Sequence, residues 1–572
     1  MVIFDGNNLC VDIRRTNYKN ILDIISGCGE YVYDSVNKII YLPPKRSVAR
    51  KLFDIGCKFD ESAVHFTAGF IKTDVDYDER LLPFQKDGVK FLLEKGNRLL
   101  ADYMGLGKTI QAVMYLKYNT ESRTAIIITP ATLKKTWEKE ISKWTDMNVH
   151  IIDGTKIYDI TEDFAKEQGI IIINYDILGI ENDDLKKAEL SRVANLKSAG
   201  FKASYKPPKV EGWCDMLCRV KWRTIIADEV QYISSTSSIR ARAVKQICFS
   251  SLCKKIFISG TPYETKTSQF YTALHILRPD LFPNEFNFKM RYCDPKKTRY
   301  GWKFEGISNV AELREKLSEF MIRRTKEDVL PQLPPKTRSV VYLDVSKKDR
   351  AEYDRAESDF VSDLHSRKGS KKCMLAHITE MKGYACRSKQ KAVVEWIKEY
   401  LSLYGDKLVV FVHHKFMYDY LMQKFQRISV GINGSVPAKK RQDIVDKFQR
   451  NKKIKLFIGE IKSCGAGITL TASNTVCFVE FGQTCVQHEQ AEDRVHRIGQ
   501  DADKVFAFYL LMSDSVEESM MATLNRHNRD MKLVMDNKID ETMFKSEESD
   551  WREMVLEDFS RKKRSFVQKT HS

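Results

Sequence analysis

The segment Ala101-Asp-Tyr-Met-Gly-Leu-Gly-Lys-Thr109 limits what this chain can fold into more than any other stretch. Gly105 and Gly107 give the backbone access to positive φ, so that successive N–H groups can face inward around an anion. Thr109-Ile-Gln-Ala-Val-Met-Tyr-Leu reads as a helix beginning just after them, and its N-terminus adds positive character. Ile126 to Thr129 and the neighbouring apolar segments read as buried strands. The segment is therefore expected to be a strand-to-helix turn on a parallel α/β sheet. Lys108 is placed to neutralise β- and γ-phosphates, and the Thr109 hydroxyl to reach Mg²⁺. Asp102, Met104 and Leu106 complete the cradle. Asp102 stands where strict phosphate-loop spacing has its first glycine, so the segment alone also fits a glycine-rich turn without a ligand.

A second acidic element supports the nucleotide reading. Arg223-Thr-Ile-Ile-Ala227 is a short apolar strand, and Asp228-Glu229-Val230-Gln231 follows at its carboxyl end, where open parallel sheets hold ligands. Asp228 is suited to hold Mg²⁺, and Glu229 to orient or deprotonate a water. An acidic pair at a strand end is by itself often a solvated turn or cap; with a lysine loop upstream, catalysis is the better reading. Far downstream, Gln490-Ala-Glu-Asp-Arg494-Val-His-Arg497-Ile-Gly-Gln500 offers two arginines at i and i+3 on an expected helix, so both can face one cleft. The alternative is a local salt-bridge cluster with Glu492 and Asp493.

The order of segments resembles the Swi/Snf type of superfamily-two helicases, which are double-stranded-DNA translocases. Leu82-Pro-Phe-Gln85 is similar to the adenine-reading segment, with Gln85 toward the base. Thr129-Pro130-Ala-Thr-Leu133, followed by Trp137, Glu140 and Trp144, resembles the first DNA-strand motif. Ser259-Gly260-Thr261-Pro262 resembles the segment coupling hydrolysis to movement, and Phe320 to Lys326 the end of the first lobe. Val409 to His414, Gly434 with Arg441 and Phe448, and Ser463-Cys-Gly465-Ala-Gly467-Ile-Thr469-Leu470 follow in family order. The resemblance covers residues 78 to 520 and is nearest to the HepA-related annealing helicases. It implies two tandem RecA-like lobes, with ATP and Mg²⁺ as cofactors. It also implies DNA or coupling contacts at Thr129, Pro130, Ser259, Gly260, Thr261, Gly465, Gly467, Thr469 and Gln490. Three departures stand out. Gln231 replaces a histidine, Ser234 a lysine, and Gly482-Gln483-Thr484 the usual Trp-Asn-Pro.

Composition agrees with that reading. The 572 residues include 94 Lys and Arg against 77 Asp and Glu, and the net charge of +17 favours a polyanionic partner. At 43% hydrophobic residues the chain can bury several sizeable cores. No apolar run approaches a membrane span and no secretory signal is visible, so an intracellular protein without a membrane partner is expected. The 13 cysteines are scattered. Cys214 and Cys218 lack a second ligand pair at zinc-like spacing, which favours reduced thiols.

The expected fold class is α/β: two RecA-like lobes of parallel sheets flanked by helices, with a small N-terminal domain and helical insertions. Residues 1–76 form an accessory domain, either DNA-recognising or packed on the first lobe. Tyr31-Val-Tyr33 and Lys38 to Leu42 are its strand-like runs, and a basic stretch from Pro44 to Lys51 opens a helix. Residues 77–335 form lobe 1, 336–385 a charged helical connector, 386–512 lobe 2, and 513–572 a brace helix with a basic tail, Arg561-Lys-Lys-Arg564. Two basic clusters, Lys186 to Lys209 with an extended Tyr205-Lys-Pro-Pro-Lys209, and Arg367, Lys368, Lys371 and Lys372, fit either a solvated face or nucleic acid.

The function expected is a monomeric DNA-dependent ATPase acting on double-stranded or branched DNA, annealing strands or remodelling forks. The alternatives are an ATPase that displaces a DNA-bound protein, a strand-separating helicase, and a scaffold or sensor switched by ATP. Stimulation by duplex DNA separates the motor from the switch.

Overall fold

The computed structural model describes residues 75–536 apart from 121–122, 182, 200–208, 300, 367–370, 465–467 and 498. In the N-terminal part it describes residues 2–5, 8–12, 31–34, 37–42, 48–49, 52–53, 57–60 and 62–63. The chain divides into two units, Met1–Leu330 with Leu533–Asn537, and Pro331–Lys532 with Lys538–Ser572.

The first unit opens with a small antiparallel sheet. Val2–Phe4 (β1), Leu9–Asp12 (β2), Val32–Asp34 (β3) and Ile39–Leu42 (β4) lie in the order β1-β2-β4-β3. The two runs expected as strands pair with each other, Tyr33 opposite Ile40. β1 and β2 were not anticipated, because runs so short show no period. Val2, Leu9, Val11, Ile40 and Leu42 close a core with Val48, Ala49 and Leu52 of the expected helix. Its basic residues Lys45, Arg46 and Lys51 lie outside the described residues.

The main sheet follows from continuous apolar runs, the mark of strands covered on both faces. Its strands are Arg98–Leu100 (β5), Ala125–Thr129 (β6), Val149–Ile151 (β7), Ile170–Asn174 (β8), Thr224–Asp228 (β11), Lys254–Ile258 (β12) and Met321–Ile322 (β15), all parallel, in the order β15-β5-β12-β11-β6-β8-β7. Two antiparallel pairs are inserted, Ile180–Glu181 (β9) with Val210–Glu211 (β10), and Pro295–Thr298 (β13) with Gly301–Phe304 (β14). The first pair closes the neck of the basic insertion, whose described part is the helix Asp183–Ser198. Tyr205 to Pro208 lie outside the described residues.

Register decides where the site falls. Leu100 pairs with Ile258, Ile258 with Asp228, Ala227 with Ile128, and Thr129 with Asn174. The apolar runs therefore end level with one another. Immediately at that edge stand the buried polar residues Thr129, Asn174, Asp228 and Ser259.

The second unit holds a six-stranded parallel sheet. Lys336–Leu343 (β16), Leu408–Val412 (β17), Ser429–Ile432 (β18), Leu456–Glu460 (β19), Thr475–Phe478 (β20) and Val505–Met512 (β21) run in the order β16-β21-β20-β17-β19-β18. This corrects the expected boundary. Residues 336–343 were expected in a helical connector, yet they form a strand paired with β21 along its full length. Their charges obscured a strand that is only partly buried. The helices Lys347–Ser366 and Lys371–Ser388 do follow, as expected of a connector. Arg367 and Lys368, and the side chains of Lys371 and Lys372, are outside the described residues, as is the tail beyond residue 536. In the segment expected to hold a brace helix, the structure forms the helix Val516–Asp536. Among the described residues no helix is long and apolar enough to cross a membrane, and Cys214 and Cys218 are free thiols.

Candidate active site

The segment that opens at Ala101 leaves β5 and enters the helix Lys108–Tyr118, as its glycines require. Gly105 has φ +84° and Gly107 φ +74°, conformations L side chains rarely adopt. A Cβ on Gly107 would also stand 2.5 Å from Gln85 Nε2, so the Gln85 amide would have to shift to admit one. Gln85 thus borders the loop: its Nε2 donates to Leu106 O at 3.5 Å and its Oε1 accepts the Leu82 N–H at 3.0 Å.

Lys108 Nζ donates to the carbonyls of Asp102 at 2.9 Å and Tyr103 at 3.2 Å. Burial lowers its pKa, while Glu229, Asp102 and Asp228 oppose that shift. Asp102 was expected among the nucleotide contacts, and the structure gives its side chain another partner. It is fully buried and accepts from Arg324 Nε at 2.9 Å and Gln111 Nε2 at 3.1 Å. What Asp102 lends the loop is its carbonyl. Its carboxylate anchors Arg324 instead.

Asp228 and Glu229 sit at the end of β11. Asp228 accepts the Trp137 indole N–H at 2.8 Å and the Thr129 hydroxyl at 3.3 Å, and the Tyr175 hydroxyl donates to its backbone carbonyl at 2.7 Å. Burial, then the charge of Glu229, pushes its pKa up to about 7. Glu229 has φ +56°, a left-handed conformation that is strained for a side chain of its size. Gln231 Nε2 donates to Glu229 at 2.7 Å, and Gln231 Oε1 accepts the Ser259 hydroxyl at 2.7 Å. The residue that departs from the family pattern is therefore the link between the acidic pair and Ser259-Gly260-Thr261. A Cβ on Gly260 would lie 2.8 Å from Met104 Cγ and 3.1 Å from Lys108 Nζ, which places that segment against the loop. Pro130 is buried beside Thr129, and Thr109 is half-buried at the helix start.

The arginine segment belongs to the second unit. The helix Cys485–Glu492 stops before the arginines, and Arg494 and Arg497 lie in the turns beyond it. The expected helical i, i+3 presentation is corrected accordingly. The Leu470 N–H donates to Arg494 O at 2.8 Å, and Arg497 Nη1 donates to Thr469 Oγ1 at 3.2 Å. Gly465 and Gly467 lie outside the described residues; Gln490 is half-buried. Glu492 is engaged by a bidentate Arg338 at 2.7 Å, by Lys336 at 2.7 Å and by the Tyr509 hydroxyl. Burial alone would raise its pKa; Arg338 and Lys336 hold it well below the usual carboxylate range. The Gly482-Gln483-Thr484 departure builds a cap, with Thr484 Oγ1 accepting the Gln487 N–H at 3.3 Å.

Sequence reasoning gave no site role to Arg323, Arg324, Tyr175 or Gln231. Arg323 Nη1 donates to Ala101 O at 2.9 Å and Gly260 O at 2.7 Å, tying the two loops together. The partners of Arg323, Arg324 and Tyr175 lie far away in the chain, so no local spacing marks them, while Gln231 stood out only as a departure.

Comparison with known proteins gives two matching family models: the SNF2-related domain over residues 84–391 and the helicase conserved C-terminal domain over residues 389–499. A Caenorhabditis elegans protein, the SWI/SNF-related matrix-associated actin-dependent regulator of chromatin subfamily A-like protein 1 homolog, is 31% identical, covering 77% of this chain and 60% of that protein. The human DNA annealing helicase and endonuclease ZRANB3 is 30% identical, covering 78% of this chain and 40% of that protein. The chain thus spans 60% and 40% of these two relatives' length, less than two thirds of either. A solved Sulfolobus solfataricus SWI2/SNF2 ATPase core in complex with dsDNA is 24% identical with a TM-score of 0.37, covering 81% of this chain and 95% of that one.

Proposed function

The chain belongs to the SNF2-related family, and from that premise we propose that it is a DNA-dependent ATPase that translocates on double-stranded DNA, annealing strands or remodelling forks. One observation carries this reading: the level carboxyl edge of the first unit's sheet, where the Gly105–Thr109 loop, Asp228 and Glu229 converge. Lys108 holds the β- and γ-phosphates, Gly105 to Gly107 offer backbone N–H groups, and Gln85 faces the base. Glu229 orients and deprotonates the attacking water, its strained backbone fixing the direction of its carboxylate. Arg494 and Arg497 stabilise charge on the transferring phosphoryl group.

The residues fit a divalent cation. Asp228 is a buried carboxylate whose burial disfavours its charge, and Thr109 brings a hydroxyl to the helix start. When bound, Mg²⁺ neutralises charge on the phosphate oxygens and favours ionised Asp228. Gln231, bonded to both Glu229 and Ser259, is suited to relay a change at the water-activating carboxylate into the coupling segment. The net charge of +17 supports a partner read through its phosphate backbone. The name of the human relative, a DNA annealing helicase, supports strand annealing.

The test compares ATP turnover with blunt duplex, single-stranded and forked DNA, in the wild type and in Glu229→Gln. Duplex and fork should stimulate the wild type. Glu229→Gln should bind ATP and lose turnover. A folded Glu229→Gln with near-wild-type turnover overturns the role of Glu229, and equal rates with and without DNA overturn the motor in favour of an ATP-driven switch.

A further inference from the structure

The hairpin β13–β14 has the sequence Pro-Lys-Lys-Thr-Arg-Tyr-Gly-Trp-Lys-Phe, and none of the roles above accounts for it. Two strands alone are only marginally stable in water, so a hairpin held out to solvent with a tryptophan and four cations needs a reason. Its register sorts those residues onto two faces. Lys296 stands opposite Lys303, and Lys297 opposite Trp302.

The two faces differ in charge balance. On the first, Lys296 pairs with Asp294 at 3.0 Å and Lys303 with Glu305 at 3.1 Å, which offsets the repulsion of like charges opposite one another. On the second, Lys297 has no acidic partner among the described residues, and neither does Arg299 at the turn. Both are exposed. The same face carries Trp302, 43% exposed, and then Phe304, whose ring meets that of Phe286 edge-on at 6.3 Å. Phe286 is itself 53% exposed. An uncovered aromatic row flanked by uncompensated cations is costly in water, and its chemistry is complementary to one kind of partner. Aromatic faces accept unstacked bases, and cations spaced along them accept the phosphates between.

The geometry points to this face as a binding site for unpaired DNA, with a base stacked on Trp302 and the adjoining phosphates on Lys297 and Arg299. A blunt duplex offers no free base face, so the hairpin recognises DNA at a junction or single-stranded arm and leaves the duplex to other surfaces. This rests on the DNA-translocase reading and deepens it by naming the structure read.

The experiment uses the full chain and three fluorescent probes: a blunt duplex, the same duplex with single-stranded arms, and a single-stranded oligothymidine. Binding is followed by anisotropy for the wild type, Trp302→Ala, Trp302→Phe and Lys297→Ala/Arg299→Ala, with thermal unfolding run in parallel. Trp302→Ala should lose roughly tenfold in affinity for the forked and single-stranded probes, the scale of one stacked base. It should leave the blunt duplex and the melting temperature unchanged. Trp302→Phe should retain most of the affinity. The double substitution should weaken the same two probes and flatten their salt dependence. Equal loss on the blunt duplex and the fork, or no loss on any probe, overturns the hairpin proposal alone. A wild-type chain that binds none of the three overturns the DNA reading beneath it.

Discussion

The two units solve the same local problem in opposite ways. In each, a buried parallel strand runs into a helix whose first N–H groups attract negative charge. In the first unit β5 opens into a glycine loop, and Lys108 begins the helix with its amine held by backbone carbonyls. In the second, β17 passes through His413 and His414 directly into the helix Lys415–Lys424. There Glu480, just past β20, accepts the N–H groups of His413 at 3.1 Å and His414 at 3.2 Å, and also bonds the His414 ring. Burial would raise the Glu480 pKa, but the bond from His414 holds it below its ordinary range. The second unit thus supplies its own anion where the first leaves room for one. If the first unit's helix start takes phosphate as proposed, what sets it apart from the second is that the chain withholds a carboxylate there.

The sharpest break should come from Asp102→Ala. It strands Arg324, whose side chain and that of Asp102 are 4% and 0% exposed, and removing one partner of such a pair costs about 3–5 kcal/mol. Denaturant unfolding should show that loss in the transition of the first unit, with the second unchanged. Lys108→Ala should lower turnover by on the order of 10²–10³-fold without lowering the melting temperature, since it removes a half-buried cation and leaves the fold's anchors in place.

Glu480→Ala should do the reverse. Two backbone donors and a histidine lose their acceptor, at about 1–3 kcal/mol, while ATP affinity measured by calorimetry stays at the wild-type value. A drop in ATP affinity larger than the stability loss would erase the distinction between the two helix starts.

The smallest effect is one of pH. Burial lowers the His488 pKa to about 3, and burial, then the charge of Lys382, lowers that of His413 to about 4. The unfolded chain takes up protons below its ordinary value near 6.5 while the folded chain does not, so stability is complete above that pH. It is lost as pH falls toward the folded values. Each histidine should contribute about 1 kcal/mol of loss over the first pH unit below 6.5. In the first unit the half-buried His150 and His275 shift in the same direction. Calorimetry between pH 7 and 5 should therefore find the second unit the more acid-sensitive; equal sensitivity would remove this contrast.

The glycine loop, the acidic pair and the apolar strands were legible in sequence because each is a contiguous pattern whose chemistry is local. Gly105 and Gly107 announce positive φ, and Ile170 to Ile173 announce a strand covered on both faces. The tertiary structure decided the rest. Arg338 and Lys336 looked like a charged helical connector, but they lie on a strand paired with β21, where their charges meet the buried Glu492, distant in the chain. Asp102 looked like part of the loop's binding chemistry, but its carboxylate belongs to Arg324. Gln231 looked like a lost histidine and is a bridge between two segments. A pattern along the chain determines what one stretch of backbone can do, whereas the partner of a buried charge is chosen by whichever opposite charge the fold brings within reach, and no spacing in the sequence records that choice.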